Sequence, residues 1–351
     1  MTNKLLEKMK AAGSIKVTTL SESTLFNTKD TIPTQVPIIN VAFSGSLFGG
    51  LVSGVTFLAG PSKCYKTLLA LLCMKAYLSK YPDSIALLYD SEFGITPEYL
   101  ADQGIDASRV IHIPLEHIEQ LKFDIVKRLE SVERGDKVFI MVDSLGALGS
   151  KKELDDALEE KSVADMTRAK AIRSVLRIVT PHLTMKDLPC VIINHTYSEM
   201  ALYPKQIMGG GTATLYSANQ VFFISRSQEK EGTEVTGWNF TLNIEKSRFV
   251  KEKAKLTFQV MYDGGINKWS GIIDLALESG HMIKTGHRYQ FVNQDTGEVD
   301  EKKWKESAIT DEQYETLLKD EKFSTFVKNK FMLTSRKTYD TVEESVEGDD
   351  E

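Results

Sequence analysis

The fold of this chain turns on residues 55–80, VTFLAGPSKCYKTLLALLCMKAYLSK. Val55 to Ala59 is an unbroken apolar run of strand length. Gly60, Pro61, Ser62, Lys63, Cys64, Tyr65, Lys66 and Thr67 interrupt it, and a helical pattern runs from Lys66 to about Lys80. A strand, a loop of the G-x-x-x-x-G-K-[ST] kind and a helix, in that order, make a phosphate cradle: backbone N–H groups and the helix N-terminus converge on an anion. In this reading all eight residues, 60 to 67, line a nucleotide site. Lys66 reaches the terminal phosphates, and the Thr67 hydroxyl holds Mg²⁺. Tyr65 stands where the pattern has glycine, the residue favoured where backbone must approach a ligand closely. A tyrosine fits there if it keeps an ordinarily allowed φ and turns its ring outward. A ligand-free strand–turn–helix is the competing reading of the loop alone.

Three further strand ends strengthen the first. Val138 to Val142 is an apolar strand closed by Asp143, about 75 residues after the loop, which is the Walker B arrangement for a Mg²⁺-binding carboxylate. Ile85 to Tyr89 is followed by Asp90-Ser91-Glu92, and Glu92 is the candidate to activate water for hydrolysis. A solvated loop carboxylate is the plain alternative. Cys190 to Asn194 leads to His195, placed to sense a terminal phosphate; isolated histidines are more often structural. The stretch Thr196 to Leu215 that follows contains Gly209-Gly210-Gly211 and few core-like residues, and long loops inside compact domains are functional or disordered. A phosphate-sensing residue at its root would make a switch.

Outward from these motifs, continuous apolar strands alternate with helices at 119–133 and 152–184, the pattern of a mainly parallel sheet covered on both faces. From Val221 the pattern changes to strands at 221–224, 238–245 and 255–262 joined by turns, which predicts an antiparallel extension. Residues 270–330 read as a small mixed region. At the other end, residues 3–11 predict a short amphipathic helix and 15–20 a short strand, with a polar linker over 21–37. Such an element cannot bury its own apolar face, so it docks on its own core or on a neighbouring subunit. The expected organisation is an N-terminal oligomerisation element and linker (1–30), an α/β P-loop ATPase core (31–285), a small C-terminal region (286–340) and an acidic tail (341–351).

Composition is that of an ordinary globular chain: 42% hydrophobic and 26% charged over 351 residues. No apolar run is long enough to span a membrane, and the first residues lack a signal-peptide core, so a cytoplasmic home is expected. The spacing of Cys64, Cys73 and Cys190 fits neither a disulfide framework nor a zinc site. Cys64, inside the phosphate loop, is either a reactive thiol or simply a small side chain. The net charge of −6 argues against a nucleic-acid partner, but residues 341–351 hold six acidic groups and no basic one. Without that tail the body is near neutral and DNA binding is permitted.

Together these motifs resemble those of the RecA/Rad51 recombinase family. The resemblance covers roughly residues 38–285 and rests on LYDSEFGITPEYLADQGIDASRVI (88–111), FIMVDSLGAL (139–148), VIINHTYS (191–198) and MGGGTATLYSAN (208–219). Phage members of the UvsX type share the aromatic before the loop lysine and the GGGT segment. The resemblance implies a RecA-type core that binds ATP and Mg²⁺ and forms a helical filament on single-stranded DNA. It implies strand exchange with double-stranded DNA, with a mediator and a single-strand-binding protein as partners, in the cytoplasm of a host cell if the chain is phage-encoded. It further implies adenine stacking by Tyr99, and Lys246 and Arg248 reaching a neighbour's ATP. DNA loops are implied at 149–162 and 196–211, with Lys151, Lys152, Arg168, Lys205 and the three glycines as contacts; Lys170 and Arg173, like Arg168, equally fit a solvated helix face. The first loop is also acidic, and the N-terminal linker carries no clear Phe-x-x-Ala docking motif. A hexameric RecA-core helicase, an ATP-binding recombination mediator and a small-molecule kinase would reuse the same phosphate-loop residues.

Overall fold

The computed structural model describes residues 4–15, 17–23, 30–160, 167–199 and 206–333. The helix α1 (Lys4–Ala12) forms as its amphipathic pattern predicts, and none of its residues is buried. The strand expected at 15–20 does not form among the described residues; Thr19 to Ser23 make a turn whose Thr19 N–H donates to the Glu22 carboxylate at 3.2 Å. An isolated strand has no sheet edge here to satisfy its backbone. Lys205 and the acidic tail lie outside the described residues.

The core begins at α2 (Pro37–Ser44), buried on every side, and continues through β1 (Gly54–Gly60), α3 (Lys66–Lys80), β2 (Ile85–Asp90), α4 (Pro97–Asp102), β3 (Val110–Pro114), α5 (Ile118–Ser131) and β4 (Val138–Asp143). Then come α6 (Lys151–Leu158), α7 (Thr167–Lys186), β5 (Pro189–Ser198), β6 (Gln206–Met208) and α8 (Thr212–Ser217). A ribbon of β7 (Gln220–Glu231), β8 (Glu234–Ser247), β9 (Lys255–Met261) and β10 (Gly265–Ile266) completes one ten-stranded sheet, in the order β10-β9-β8-β7-β1-β5-β4-β2-β3, with β6 paired to β5. The strands from β7 to β3 along this order run parallel, and the ribbon is antiparallel, as the change of pattern near Val221 predicts.

Why the parallel strands read as continuous apolar runs is visible in the two cores. Phe57, Ile140 and Ile192 face α5 and α7, while their neighbours Leu58, Met141 and Ile193 face α2 and α3. β1 and β4 are buried along their whole length, on one side or the other, and each large apolar side chain so buried contributes about 1.5–3 kcal/mol. The C-terminal part, α9 (Ile272–Glu278), the hairpin β11 (Met282–Thr285) and β12 (Arg288–Phe291), α10 (Asp311–Lys319) and α11 (Glu321–Phe331), joins the α2–α3 core through Phe323, Val327 and Phe331. The Trp269 and Tyr314 rings stack at 4.7 Å across that seam.

The described parts of both expected DNA loops are more ordered than their sequences suggest; residues 161–162 and 200–205 lie outside the described residues. Most of the first, read as 149–162, is the helix α6, started by a capping box in which Ser150 and Glu153 satisfy each other's backbone N–H groups. The second, read as 196–211, opens as a continuation of β5 that pairs with β6 from Thr196↔Met208 to Ser198↔Gln206.

Candidate functional site

The parallel strands β1, β2, β3 and β4 end close to one level, and β5 passes it at His195 before running on to Ser198. Gly60 pairs with His195, and Asp90 with Asp143, so β1, β2 and β4 at their carboxyl ends, and β5 at His195, deliver the phosphate loop and three side chains into one cleft of about 570 Å³. Crevices outside the carboxyl ends of strands are where open α/β sheets bind ligands. The lining includes residues 62–67, Glu92, Tyr99, Asp143 and His195, so the structure brings together the sequence candidates drawn from four separate motifs.

Lys66 is buried, and its ammonium donates to the Gly60 and Pro61 carbonyls at 3.1 and 2.7 Å. Burial holds its pKa below the usual lysine range, against the pull of Cys64, Glu92 and Asp143. A desolvated ammonium folded onto its own loop is ready to exchange carbonyls for phosphate oxygens. Thr67 Oγ1 donates to Asp143 Oδ2 at 2.7 Å, while Asp143 Oδ1 is buried with no hydrogen-bond partner among the described residues. Burial, with the neighbouring carboxylates Glu92 and Asp90, pushes the Asp143 carboxyl up to about 6, although the Thr67 bond and Lys66 pull it down. A threonine hydroxyl, an orphaned carboxylate oxygen and an excess of negative charge fit a hard divalent cation such as Mg²⁺.

The tyrosine in the loop is accommodated differently from the sequence expectation. Its ring is partly exposed, as expected, but its backbone is left-handed, with φ 50° and ψ 31°, and Lys63 is left-handed too at φ 60°. Each such non-glycine residue costs on the order of 1–3 kcal/mol and persists only where its surroundings impose it. Cys64 is buried, and burial pushes its thiol up, which favours the small-side-chain reading over a reactive one.

Glu92 sits on a turn held by its neighbour. Asp90, buried, accepts from the Glu92 and Phe93 N–H groups at 3.0 and 2.8 Å, and its other oxygen meets His112 Nε2 at 3.1 Å. Glu92 Oε1 lies 3.1 Å from His195 Nε2, and Ser144 Oγ is 3.4 Å from the same nitrogen. Partial burial pulls the Glu92 carboxyl up, but hydrogen bonds from Ser144 and His195 outweigh it and hold the group below the usual range. Gly146 is required beside this pair, because a Cβ there would come within 2.5 Å of the His195 ring. On the far side, Asn194 Nδ2 donates to the Gly209 carbonyl at 2.8 Å, and the Gly209 N–H donates to the His195 carbonyl at 3.2 Å. Gly210 is also tightly placed, at φ 95° with Thr214 only 2.8 Å from where a Cβ would stand. Gly211, at φ 73°, has open space around it.

Other sequence candidates lie elsewhere. Lys246 pairs with Val221, which pairs with Phe57, so it sits level with the middle of β1 and beside the start of β7, short of the strand ends that carry the cleft. Its ammonium donates to the Leu215 and Tyr216 carbonyls, at 2.6 and 3.1 Å, at the end of α8. Neither Lys246 nor Arg248 lines the cleft. Lys151 and Lys152 are exposed on α6, the second 3.6 Å from Asp156. Arg168 is engaged within the fold: its guanidinium donates to the Leu145, Gly146 and Leu148 carbonyls at 3.1, 3.0 and 2.7 Å, fixing the chain after Asp143.

The sequence reading missed four residues of the cleft: Leu68 and Ile193, beside its candidates, and Arg226 and Trp238, from the antiparallel ribbon. It ended that strand at Ile224, whereas β7 continues to Glu231. Arg226 lies three residues past Phe223, the partner of Ala59, and so beyond the carboxyl end of β1. Arg226 lies inside β7 and not at its end, so the strand-end rule that marked Glu92 and His195 does not mark it; the register of β7 on β1 places it at the cleft.

The comparisons agree with this geometry. Residues 2–267 match the family model of the RecA N-terminal domain, and residues 269–327 match that of the C-terminal domain of the bacteriophage T4 recombination and repair protein. The recombination and repair protein of Enterobacteria phage T4 is 48% identical over 302 residues, covering 85% of this chain and 77% of that one. Protein RecA of Streptomyces rimosus is 26% identical over 77% of this chain and 70% of its own, and that of Chlorobium chlorochromatii 26% identical over 71% and 70%. The phosphate loop, the paired strand-end carboxylates and these matches over nearly the whole described core together place the chain in the RecA recombinase family.

Proposed function

We propose that the chain is an ATP-dependent recombinase that polymerises on single-stranded DNA and exchanges strands with a homologous duplex. The observation that carries this reading is the Asn194–His195 junction, which touches Glu92 on one side and the glycine segment on the other. A residue pair shared by a hydrolytic carboxylate and a candidate DNA loop is the element a nucleotide-gated grip needs.

In this reading Lys66 and the 60–67 backbone bind the triphosphate, and Tyr99 packs on its base. Thr67 and Asp143 would hold Mg²⁺, which neutralises charge between the terminal phosphates when bound. Glu92 accepts a proton from the attacking water; for this it must part from His195, which then meets the terminal phosphate. Lys246 and Arg248, outside the lining of their own cleft, serve the site of the next protomer, as an arginine finger does in trans. Lys151, Lys152, Lys205 and the glycines of 209–211 line the DNA path, and sequence is read by base pairing rather than by side chains. Residues 1–30 bridge subunits, 31–285 form the ATPase core, 286–340 a small accessory region, and the 341–351 tail competes with DNA for basic surface. A mediator and a single-strand-binding protein act with it. Among the described residues no helix is long and apolar enough to cross a membrane.

The test measures ATP hydrolysis with and without single-stranded DNA and images the same samples by electron microscopy. Stimulated turnover with extended filaments is the expected result. Closed rings would favour a helicase, and absent turnover a binding-only mediator.

A further inference from the structure

The phosphate loop holds two non-glycine residues, Lys63 and Tyr65, in left-handed conformations. Each is contacted from outside the loop, and both contacts come from the antiparallel ribbon. Arg226 Nη1 donates to the Lys63 carbonyl at 2.9 Å. The Tyr65 ring lies 4.9 Å from that of Phe240. Both contacting side chains are themselves anchored. The Arg226 guanidinium lies 4.3 Å over the Trp238 ring, and Trp238 Nε1 donates to the Tyr262 hydroxyl at 3.0 Å. Phe240 is fully buried and stacks on Phe258 at 5.5 Å.

We propose that β7 and β8 clamp the phosphate loop, with Arg226, backed by Trp238, and Phe240 as positioning residues that hold it in its nucleotide-binding shape. A loop with glycine at these positions reaches φ > 0 without help, because glycine lacks the Cβ that makes the region unfavourable. With lysine and tyrosine there, the free loop would relax to ordinary φ values and turn its N–H groups away from the anion. The clamp therefore substitutes side-chain contacts from a distant ribbon for the conformational freedom of glycine. An exposed arginine stacked on tryptophan suits this role, since its planar fork loses little freedom when a flat ring already orients it.

The inference rests on the reading that this cleft binds ATP. Its test is a cycle of variants in the full chain, assayed by DNA-stimulated ATP hydrolysis. Arg226→Ala should raise KM for ATP about tenfold, equivalent to about 1.4 kcal/mol, with kcat at saturating ATP close to wild type. Arg226→Lys, which keeps a donor but not the planar fork, should fall between. In a Lys63→Gly background the same Arg226→Ala change should raise KM by no more than roughly twofold, because the loop no longer needs holding. Phe240→Leu keeps apolar volume and should raise KM in the parent chain but not beside Tyr65→Gly. Unchanged melting temperatures for the Arg226 variants separate positioning from folding. Wild-type KM in Arg226→Ala would overturn the clamp while leaving the ATPase intact. Equal KM penalties with and without Lys63→Gly would also overturn it, since Arg226 would then act by some route other than the loop. A wild-type chain that hydrolyses no ATP would instead overturn the underlying reading.

Discussion

The two halves of the sheet serve the same cleft by different means. In the parallel half, β1, β2 and β4 end close to one level, and the candidate groups gather there: Lys66 after the loop that follows β1, Glu92 just past β2, Asp143 closing β4, and His195 opposite Gly60, before β5 runs on to Ser198. In the antiparallel half, Arg226 and Trp238 sit inside long strands and line the cleft because β7 and β8 run past the end of β1, while Phe240 is buried and touches the loop through the Tyr65 ring. A strand end in a parallel sheet is an address written locally, by an apolar run and the polar residue that stops it. A place inside a ribbon is fixed by register, which depends on residues far away in the sequence.

Removing the chemistry of the parallel half tests this contrast most severely. Glu92→Gln is expected to lower kcat by about 10²–10⁴-fold, the range for a positioned general base, while filaments still assemble with ATP. Phosphate release at saturating single-stranded DNA measures it, and normal turnover would remove Glu92 from the mechanism. The next comparison asks whether the halves differ in stability as they do in chemistry. Phe57, in β1, and Phe258, in β9, are both fully buried, so Phe57→Ala and Phe258→Ala should each cost about 3–5 kcal/mol in urea unfolding. A loss confined to the Phe57 variant would mean that the ribbon folds as a weaker unit.

Smaller effects refine the picture. Ser150→Ala, which removes the capping box of α6, should cost about 1 kcal/mol and loosen residues 151–158 in hydrogen exchange, with little change in global unfolding. The smallest expected response is that of the thiols. All three cysteines are buried, and burial pushes Cys73 and Cys190 up to about 12. Native protein at pH 8 should therefore take up no alkylating reagent, as read by intact mass; rapid labelling of Cys64 would revive its reading as a reactive thiol.

Local pattern was enough to give the α/β class and to mark the 60–67 loop, the strand-end carboxylates and His195 as candidates, because each is stated within a dozen residues by a change from apolar run to polar stop. It also marked the switch to antiparallel strands near Val221. Local capping by Ser150 and Glu153, which the sequence reading passed over, accounts for α6, none of whose residues is buried, while long-range packing turned Arg168 inward to hold backbone carbonyls. That packing placed Lys246 short of the strand ends that carry the cleft, and joined Asn194 and His195 to Gly209. It also showed how Tyr65 can replace glycine, through a left-handed backbone in contact with Phe240. What packing decided depends on pairings between segments far apart in the chain, and a short stretch of residues carries no information about which distant residue will be there to meet a given side chain.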